Sequence, residues 1–529
     1  MFLFKILKSF FVLIFFALLS QSAFGQRNVL IIIADDLGSD YCGFYENHLD
    51  TVNLPNVRRL LKSGVRFKNA WANPFCSPTR AGILTGRYSF RTGVGAAIGG
   101  NTSAVLDTAE ITIPKLLNKF KPGGIAKAHI GKWHLQTPMP KTNLIFPNKM
   151  GYDHFEGSFP GELTNYFNWT KITNGAESTS THYATTENAD NAISFIKKNK
   201  DAPFFVWLAF NAPHTPYHLP PTSLLKNNAL SGSSSDISAN PKNYFKAMNE
   251  AMDHEIGRLF DSLALYNVWS NTDIIFIGDN GDDSPVAQSS PAKGSVYQGG
   301  LQVPMIISGP SVKSPNRSSD ALVHTTDLFA TILELFGHTQ WPAQIPISKP
   351  VDSKSLLPIL KNTSQEVHDW VFAEVFKGPA PDSDGKTIRN KTFKYIQLDN
   401  GTKKLFNLSQ DPNEKTNLYN ANITGINLTN WDYLCGEMSK LIGISNGCSL
   451  VLSTENESLK AIPFPNPFNS KINLNDQAIE TLYILFAADG KEIYKGHNIK
   501  NQDFSFLPRG VYYLQTTENI GSIFKMIKE

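Results

Sequence analysis

Seven residues in succession, Asn-Val-Leu-Ile-Ile-Ile-Ala at 28–34, restrict the fold more than anything else in the chain. An apolar, β-branched run without polar alternation has no face to offer water. It predicts a strand buried on both sides, as in a parallel sheet layered between helices. The run ends in Asp35-Asp36-Leu37-Gly38. Ligands of open α/β sheets gather at the carboxyl ends of strands, and two carboxylates there either cap a turn or hold a cation. Capping needs one of them, and adjacent like charges repel unless something neutralises them. The pair therefore reads as a cation site.

The rest of the chain repeats the pattern. Residues 65–67, 125–130, 203–210, 273–277 and 303–308 read as strands, and 54–64, 113–120, 183–198, 243–266 and 327–335 as helices. Residues 141–182 are irregular and read as loops over a site; 231–235 read as a flexible Ser-rich spacer. At 529 residues the chain exceeds one compact core, so two or three domains are expected. A hydrophobic content of 41% with 18% charged residues is that of a globular protein. The formal charge of +3 gives no footprint for a nucleic acid, and an anionic ligand must be met by local cations.

Composition shifts near 350. Strand-like runs at 370–376, 393–398 and 404–408 suggest a small α+β subdomain, and 449–458 a polar linker. Residues 459–529 carry alternating runs at 482–487 and 511–516 with turns at Asp489-Gly490 and Arg509-Gly510, a small antiparallel β-module. At the other end, residues 1–25 read as a signal peptide: Lys5 and Lys8, an apolar run at 10–19, then Ala23-Phe24-Gly25. The mature chain would begin at Gln26, with no other stretch able to span a bilayer. In an exported chain Cys435 and Cys448 could pair. Pairing of Cys42 with Cys76 is not expected.

Chemistry-bearing residues cluster after the strands. The stretch 73–87, NPFCSPTRAGILTGR, reads as a turn opening into a helix, with Pro78 suited to the first helical position. Cys76 would then lie at a helix N-terminus, which favours an anion, with Arg80 and Arg87 following. A lone Cys-x-Pro would read as a small buried thiol beside a structural arginine. The strand at 125–130 leads into Gly131-Lys132-Trp133-His134, where Lys132 and His134 point the same way if the backbone stays extended. The strand at 203–210 leads into Asn211-Ala212-Pro213-His214-Thr215-Pro216, which holds His214 in an extended loop. The strand at 273–277 delivers Asp279-Asn280-Gly281, either a turn or two further hard ligands. Lys293-Gly294-Ser295 follows.

Five motifs in this order, NVLIIIADD, CSPTRAGILTGR, GKWHL, NAPHTP and IGDNG followed by KGS, resemble those of the formylglycine-dependent type I sulfatases of the alkaline phosphatase superfamily, from about residue 28 to 419. Thr79 stands where that family usually has serine, and Gln298 where it often has an acid. The resemblance implies an α/β fold, a large mixed, mostly parallel sheet flanked by helices, followed by the small subdomain. It implies that Cys76 is oxidised by a formylglycine-generating or radical maturase to an aldehyde whose hydrate is the nucleophile. Asp35, Asp36, Asp279, Asn280 and residue 76 would bind Ca²⁺, with Mg²⁺ the other hard candidate. Arg80, Lys132, His214 and Lys293 would surround the sulfate, His214 or Lys293 would protonate the leaving alcohol, and His134 would act as base.

The tail, with PNPF, LPRGVYYLQ and FKMIKE, resembles the C-terminal sorting domains of type IX secretion substrates in Gram-negative bacteria. The implied domains are a signal peptide at 1–25, a catalytic domain at 26–345, a subdomain at 346–448, a linker at 449–458 and a sandwich-like sorting domain at 459–529. Secretion or surface display fits a sulfated, for instance algal, polysaccharide as substrate. A phosphate or phosphonate monoester hydrolase and a non-catalytic binder of sulfated glycans are the alternatives. A chain truncated after Ser458 is expected to keep its activity but stay inside its host, measured by fractionation; lost activity in the purified truncate would make the tail part of the catalytic fold.

Overall fold

The computed structural model describes residues 27–45, 48–99, 104–226, 229–377, 383–444, 448, 463–464, 467–474, 482–516 and 523–529. The proposed signal peptide and linker lie outside these residues. The chain forms two compact units that divide between Leu418 and Tyr419.

The first unit is built on a ten-stranded sheet: β1 (Asn28–Ala34), β2 (Gly64–Trp71), β3 (Ala126–Gly131), β4 (His154–Gly157), β5 (Trp169–Thr173), β6 (Ala176–Ser180), β7 (Phe204–Ala209), β8 (Thr272–Gly278), β9 (Met305–Ser308) and β10 (Arg317–His324), in the order β10-β2-β9-β8-β1-β7-β3-β4-β5-β6. β1 is central and wholly buried, parallel to β7 on one side and β8 on the other. Its alternation serves two cores. Val29, Ile31 and Ile33 join one with the helices Ile113–Phe120 and Leu328–Leu335. Leu30, Ile32 and Ala34 join the other with Pro55–Ser63, Ala184–Asn199 and Pro241–Leu265. A strand sandwiched in this way needs an apolar residue at every position, which is why the 28–34 run does not alternate.

Register carries the function. Ala34 pairs with Gly278, Ile33 with Ala209, and Gly131 with Ala209. The carboxyl ends of the four consecutive parallel strands β8, β1, β7 and β3 are therefore level, and the residues that follow them emerge side by side.

Several expectations change. Residues 141–182 are not only loops: β4 extends the sheet parallel to β3, and β5 and β6 form a hairpin. The tip, Asn174-Gly175, has positive φ at both residues (47° and 88°), the arrangement Asn-Gly favours. The Ser-rich spacer runs into a helix, Ser234–Ala239, started by Ser233, whose hydroxyl accepts from the Asp236 amide. β10 has no strong sequence signal; it is an edge strand beside β2.

Past the large sheet, β11 (Val371–Val375), β12 (Gly385–Arg389), β13 (Phe393–Leu398) and β14 (Lys403–Asn407) form an antiparallel sheet. Val371 and Ala373 pack on Trp71, Leu301 and Leu322. In the second unit, Cys435 on the helix Gly425–Ile442 is disulfide-bonded to Cys448. An antiparallel sheet of Tyr483–Ala487, Glu492–Gly496, Gly510–Thr516 and Ile523–Lys528 closes over Phe468, Leu485, Leu514 and Met526.

One buried acid ties stability to pH. Glu374 on β11 accepts a hydrogen bond from the Phe90 amide at 2.6 Å, and burial pushes its carboxyl up to about 7. The folded state thus holds a proton that the unfolded chain releases near 4.5, and this contribution is lost as pH rises through 7. Glu374→Gln keeps the acceptor without the charge. It is expected to leave the melting temperature at pH 5 nearly unchanged and to raise stability at pH 8 by up to about 3 kcal/mol, read from melting curves at the two pH values.

Candidate active site

Asp35 follows β1, Lys132 follows β3 and Asp279 follows β8, and all three are fully buried. Lys132 Nζ donates to Asp35 Oδ2 at 2.5 Å. Arg80, on the helix Cys76–Thr85, donates to Asp279 Oδ2 through Nη2 (2.7 Å) and Nε (3.1 Å), and through Nη1 to the Lys132 carbonyl (2.8 Å). Asp36 has a left-handed φ of 64°, which turns the chain back across the strand ends. Its amide donates to Asp279 Oδ1 (3.1 Å), Asn280 Nδ2 donates to its Oδ1 (2.8 Å), and Lys293 Nζ donates to its Oδ2 (2.7 Å). His214 Nε2 stands 3.6 Å from the same oxygen.

Three carboxylates thus meet the side chains of Arg80, Lys132 and Lys293 in a dry setting. Burial drives the Asp35 carboxyl well above its usual range against the pull of Lys132. Burial also opposes ionisation of Asp36 and Asp279, but Lys293 and His214 hold the first below the usual range, and Arg80 and Lys132 the second. Burial acts to lower Lys293, and Asp36 overcomes it, leaving the ammonium above the ordinary lysine range. Burial brings His214 down to about 4.

Cys76 opens its helix, with Phe75 as N-cap. Pro78 is therefore the third helical residue rather than the first, which costs nothing because first-turn amides have no intrahelical acceptor. Cys76 and Cys42 are both buried free thiols. The Cys76 Sγ lies 3.1 Å from His134 Nδ1, and His134 Nε2 lies 2.6 Å from the Ile98 carbonyl. A carbonyl only accepts, so Nε2 carries the proton and Nδ1 turns its lone pair toward residue 76. Burial and then Lys132 keep the ring neutral by lowering it well below the usual histidine value. Lys132 and His134 reach the site although the backbone is not extended: Gly131 (φ 90°) and His134 (φ 50°) turn it.

Three supporting features were not read from the sequence. Ser77 Oγ donates to the His134 carbonyl (2.9 Å) and accepts from the Ile98 amide (3.0 Å), clamping the two segments that orient the imidazole. Any side chain at Gly161 would strike the His134 ring. Asp282 accepts from the Gly38 amide (2.8 Å), and its own carbonyl accepts from the Lys293 amide (3.1 Å), which links the loop after Asp36 to Lys293. Arg87 lies apart, donating to the Pro350 carbonyl and facing Glu110 at 3.5 Å. Near Gln298, an acid comes from elsewhere in the chain: Glu414 accepts from the Gln298 amide (2.6 Å) and pairs with Lys394 (2.6 Å).

A cation fits this cluster. Asp35 Oδ1 and Asn280 Oδ1 are buried without a hydrogen-bond donor, an arrangement costly unless something else meets the lone pairs. Ligand atoms of Asp35, Asp279 and Cys76 lie within 4.8 Å of one another. The oxygen-rich donor set suits a hard ion such as Ca²⁺ or Mg²⁺.

Comparison with known proteins places the chain. The sulfatase family profile matches residues 27–338, the N-sulphoglucosamine sulphohydrolase C-terminal profile residues 292–429, and the secretion system C-terminal sorting domain profile residues 463–529. An uncharacterised sulfatase of Escherichia coli, YdeN, is 27% identical over 395 residues, 64% of this chain and 67% of that protein. Pig N-acetylgalactosamine-6-sulfatase is 28% identical over 373 residues, 63% and 66% of the two chains. Mouse arylsulfatase J is 26% identical, with about half of its own length matched (52%). Among solved structures, Ps i-CgsB in complex with k-i-k-neocarrahexaose superposes with a TM-score of 0.65 at 27% identity, covering 82% of this chain and 95% of that one. Fold and neighbours define an α/β protein of the alkaline phosphatase-like class. Within it, the chain belongs to the sulfatase family of sulfuric ester hydrolases, and its C-terminal sorting domain marks it for secretion or the cell surface.

The Ser77 clamp is open to test. Ser77→Ala is expected to lower kcat on a sulfate ester about 10- to 100-fold, the usual effect of removing a group that orients a functional histidine, with a melting temperature close to wild type. Unchanged kcat would mean the clamp does not orient His134.

Proposed function

We propose that the chain is a secreted sulfatase that hydrolyses sulfate esters of extracellular, algal-type polysaccharides or their oligosaccharides. The observation that supports this most is His134 Nδ1 set at 3.1 Å from Cys76 Sγ, beside an oxygen cluster with two unmatched buried acceptors. A maturase would convert Cys76 to formylglycine, a two-electron oxidation in which sulfur leaves as sulfide, oxygen enters, and the maturase supplies the oxidant. The hydrated aldehyde would supply a geminal-diol nucleophile, and a Ca²⁺ held by Asp35, Asp36, Asp279, Asn280 and residue 76 would supply Lewis acidity toward a sulfate oxygen.

Charge balance supports this reading. With Asp35 ionised against a bound cation, Asp35, Asp36 and Asp279 balance Arg80, Lys132 and Lys293, so a divalent ion makes the cluster net +2. That matches a sulfate monoester anion together with a deprotonated nucleophile. Arg80 and Lys132 hold the carboxylates, and with Lys293 and His214 beside Asp36 they would meet the sulfate oxygens. Lys293 or His214 would donate a proton to the leaving oxygen. His134 Nδ1 accepts the proton that residue 76 must lose to release sulfate. The substrate class draws on the sorting tail and on the likeness to a protein solved with a neocarrahexaose. The domain limits given above remain our reading of the chain.

Mass spectrometry and chelation test this together. Active protein is expected to carry a residue-76 peptide roughly 18 Da lighter than the cysteine form. Cys76→Ala is expected to fold and bind calcium yet lose turnover by several orders of magnitude. Asp279→Ala, or exhaustive chelation, should remove activity, with calcium restoring only the chelated wild type. Full activity from protein whose Cys76 is entirely thiol would overturn the mechanism.

A further inference from the structure

Lys293 belongs to two places. Its ammonium sits on Asp36, and its side chain also lines a pocket of about 620 Å³ outside the carboxylate cluster, within the usual size of a ligand site. The pocket wall runs through Phe75, Asp283, Ser284, Ser289, Ser290 and Asp384. Phe75 is the N-cap of the Cys76 helix, so the wall starts one residue from the proposed nucleophile. Its ring lies close to Gly294, where an added Cβ would stand 2.9 Å from Cζ and where φ is 82°. Asp283 follows Asp282, whose hydrogen bonds to the Gly38 and Lys293 segments fix that turn.

We propose that this pocket receives the sugar ring next to the sulfated one, and that Asp283 selects a neighbour that is hydroxylated and uncharged. This rests on the sulfatase reading above. An apolar alcohol such as a steroid would strip water from serine hydroxyls and carboxylates without replacing their hydrogen bonds. A sugar replaces them, since its hydroxyls donate to carboxylates and its ring face covers an aromatic edge. A second sulfate in the pocket meets the Asp283 carboxylate, while the lysine there is already engaged by Asp36. The pocket therefore sets selectivity that the carboxylate cluster, which sees only the reacting sulfate, does not.

Matched saccharide pairs test this. The first pair is the repeating disaccharide of κ-carrageenan, a galactose 4-sulfate beside an unsulfated ring, and that of ι-carrageenan, which adds a 2-sulfate to the neighbour. The second is a galactose 4-sulfate linked to a neighbouring galactose without and with a 2-sulfate on that neighbour. The wild type is expected to release the 4-sulfate from the member with the unsulfated neighbour about tenfold faster in kcat/KM, a step of roughly one carboxylate–sulfate repulsion. Asp283→Asn, at a half-exposed position, should cut that preference to about threefold or less, chiefly through KM. Equal or reversed preference in the wild type, or a preference that Asp283→Asn leaves intact, overturns the pocket assignment while the sulfatase reading stands. No sulfate released from any member of either pair or from an aryl sulfate overturns both.

Discussion

Everything at the carboxyl edge of the large sheet depends on one buried knot of charge. Asp35 and Asp279 are fully enclosed, and each is met by a cation from a different element: Lys132 from the end of β3, Arg80 from the Cys76 helix. Carboxylates this deep are tolerated only when paired and hydrogen-bonded, and removing one partner leaves an uncompensated charge. The knot therefore fixes the relative positions of β1, β3, β8 and the Cys76 helix more strictly than apolar packing alone would. The Lys132 carbonyl adds to this by accepting from both Arg80 and the neighbouring ring of His129.

Two oxygens of the same knot have no donor, and its oxygen-rich donor set suits a hard cation. Satisfied polar groups rigidify a site, and unsatisfied ones mark where a ligand contributes. Around this core lies a layer that does a different job. Ser77, the Ile98 carbonyl and Gly161 leave His134 one orientation and one tautomer, so the ring meets residue 76 with its lone pair. Farther out, the pocket at Phe75 and Asp283 is built from loops. Loops tolerate substitution better than the sheet beneath them, so the wall of that pocket is free to vary while the strand ends stay fixed.

The residue types of the site were legible because the chain announces its strands. Uninterrupted β-branched runs followed at once by Asp35-Asp36 and Asp279-Asn280 place hard ligands at strand ends, and the helices that cover the sheet were found close to their observed limits. Residues with weak periodicity were the ones misread. β4 is four residues long, too short to show a pattern. The β5–β6 hairpin does carry a signal in Asn174-Gly175, masked by its polar neighbours. β10 owes its strand state to pairing with β2, a tertiary cause absent from its own sequence.

The sequence by itself determined the layered α/β class, the order of the strand-end motifs, the sorting tail, and which side chains could bring charge to an anion. Tertiary structure alone decided how those side chains are matched. Asp36 and Asp279 are 243 residues apart in the chain and share a hydrogen bond; Arg80 reaches Asp279 across 199. Strand order and register bring such pairs level, and neither is encoded locally. The role of Ser77 belongs to the same category: a serine beside a cysteine is unremarkable until the fold brings His134 and Ile98 to either side of its hydroxyl. Hydrogen bonds are directional and short, so their partners follow from where the backbone finally lies rather than from what any one segment prefers.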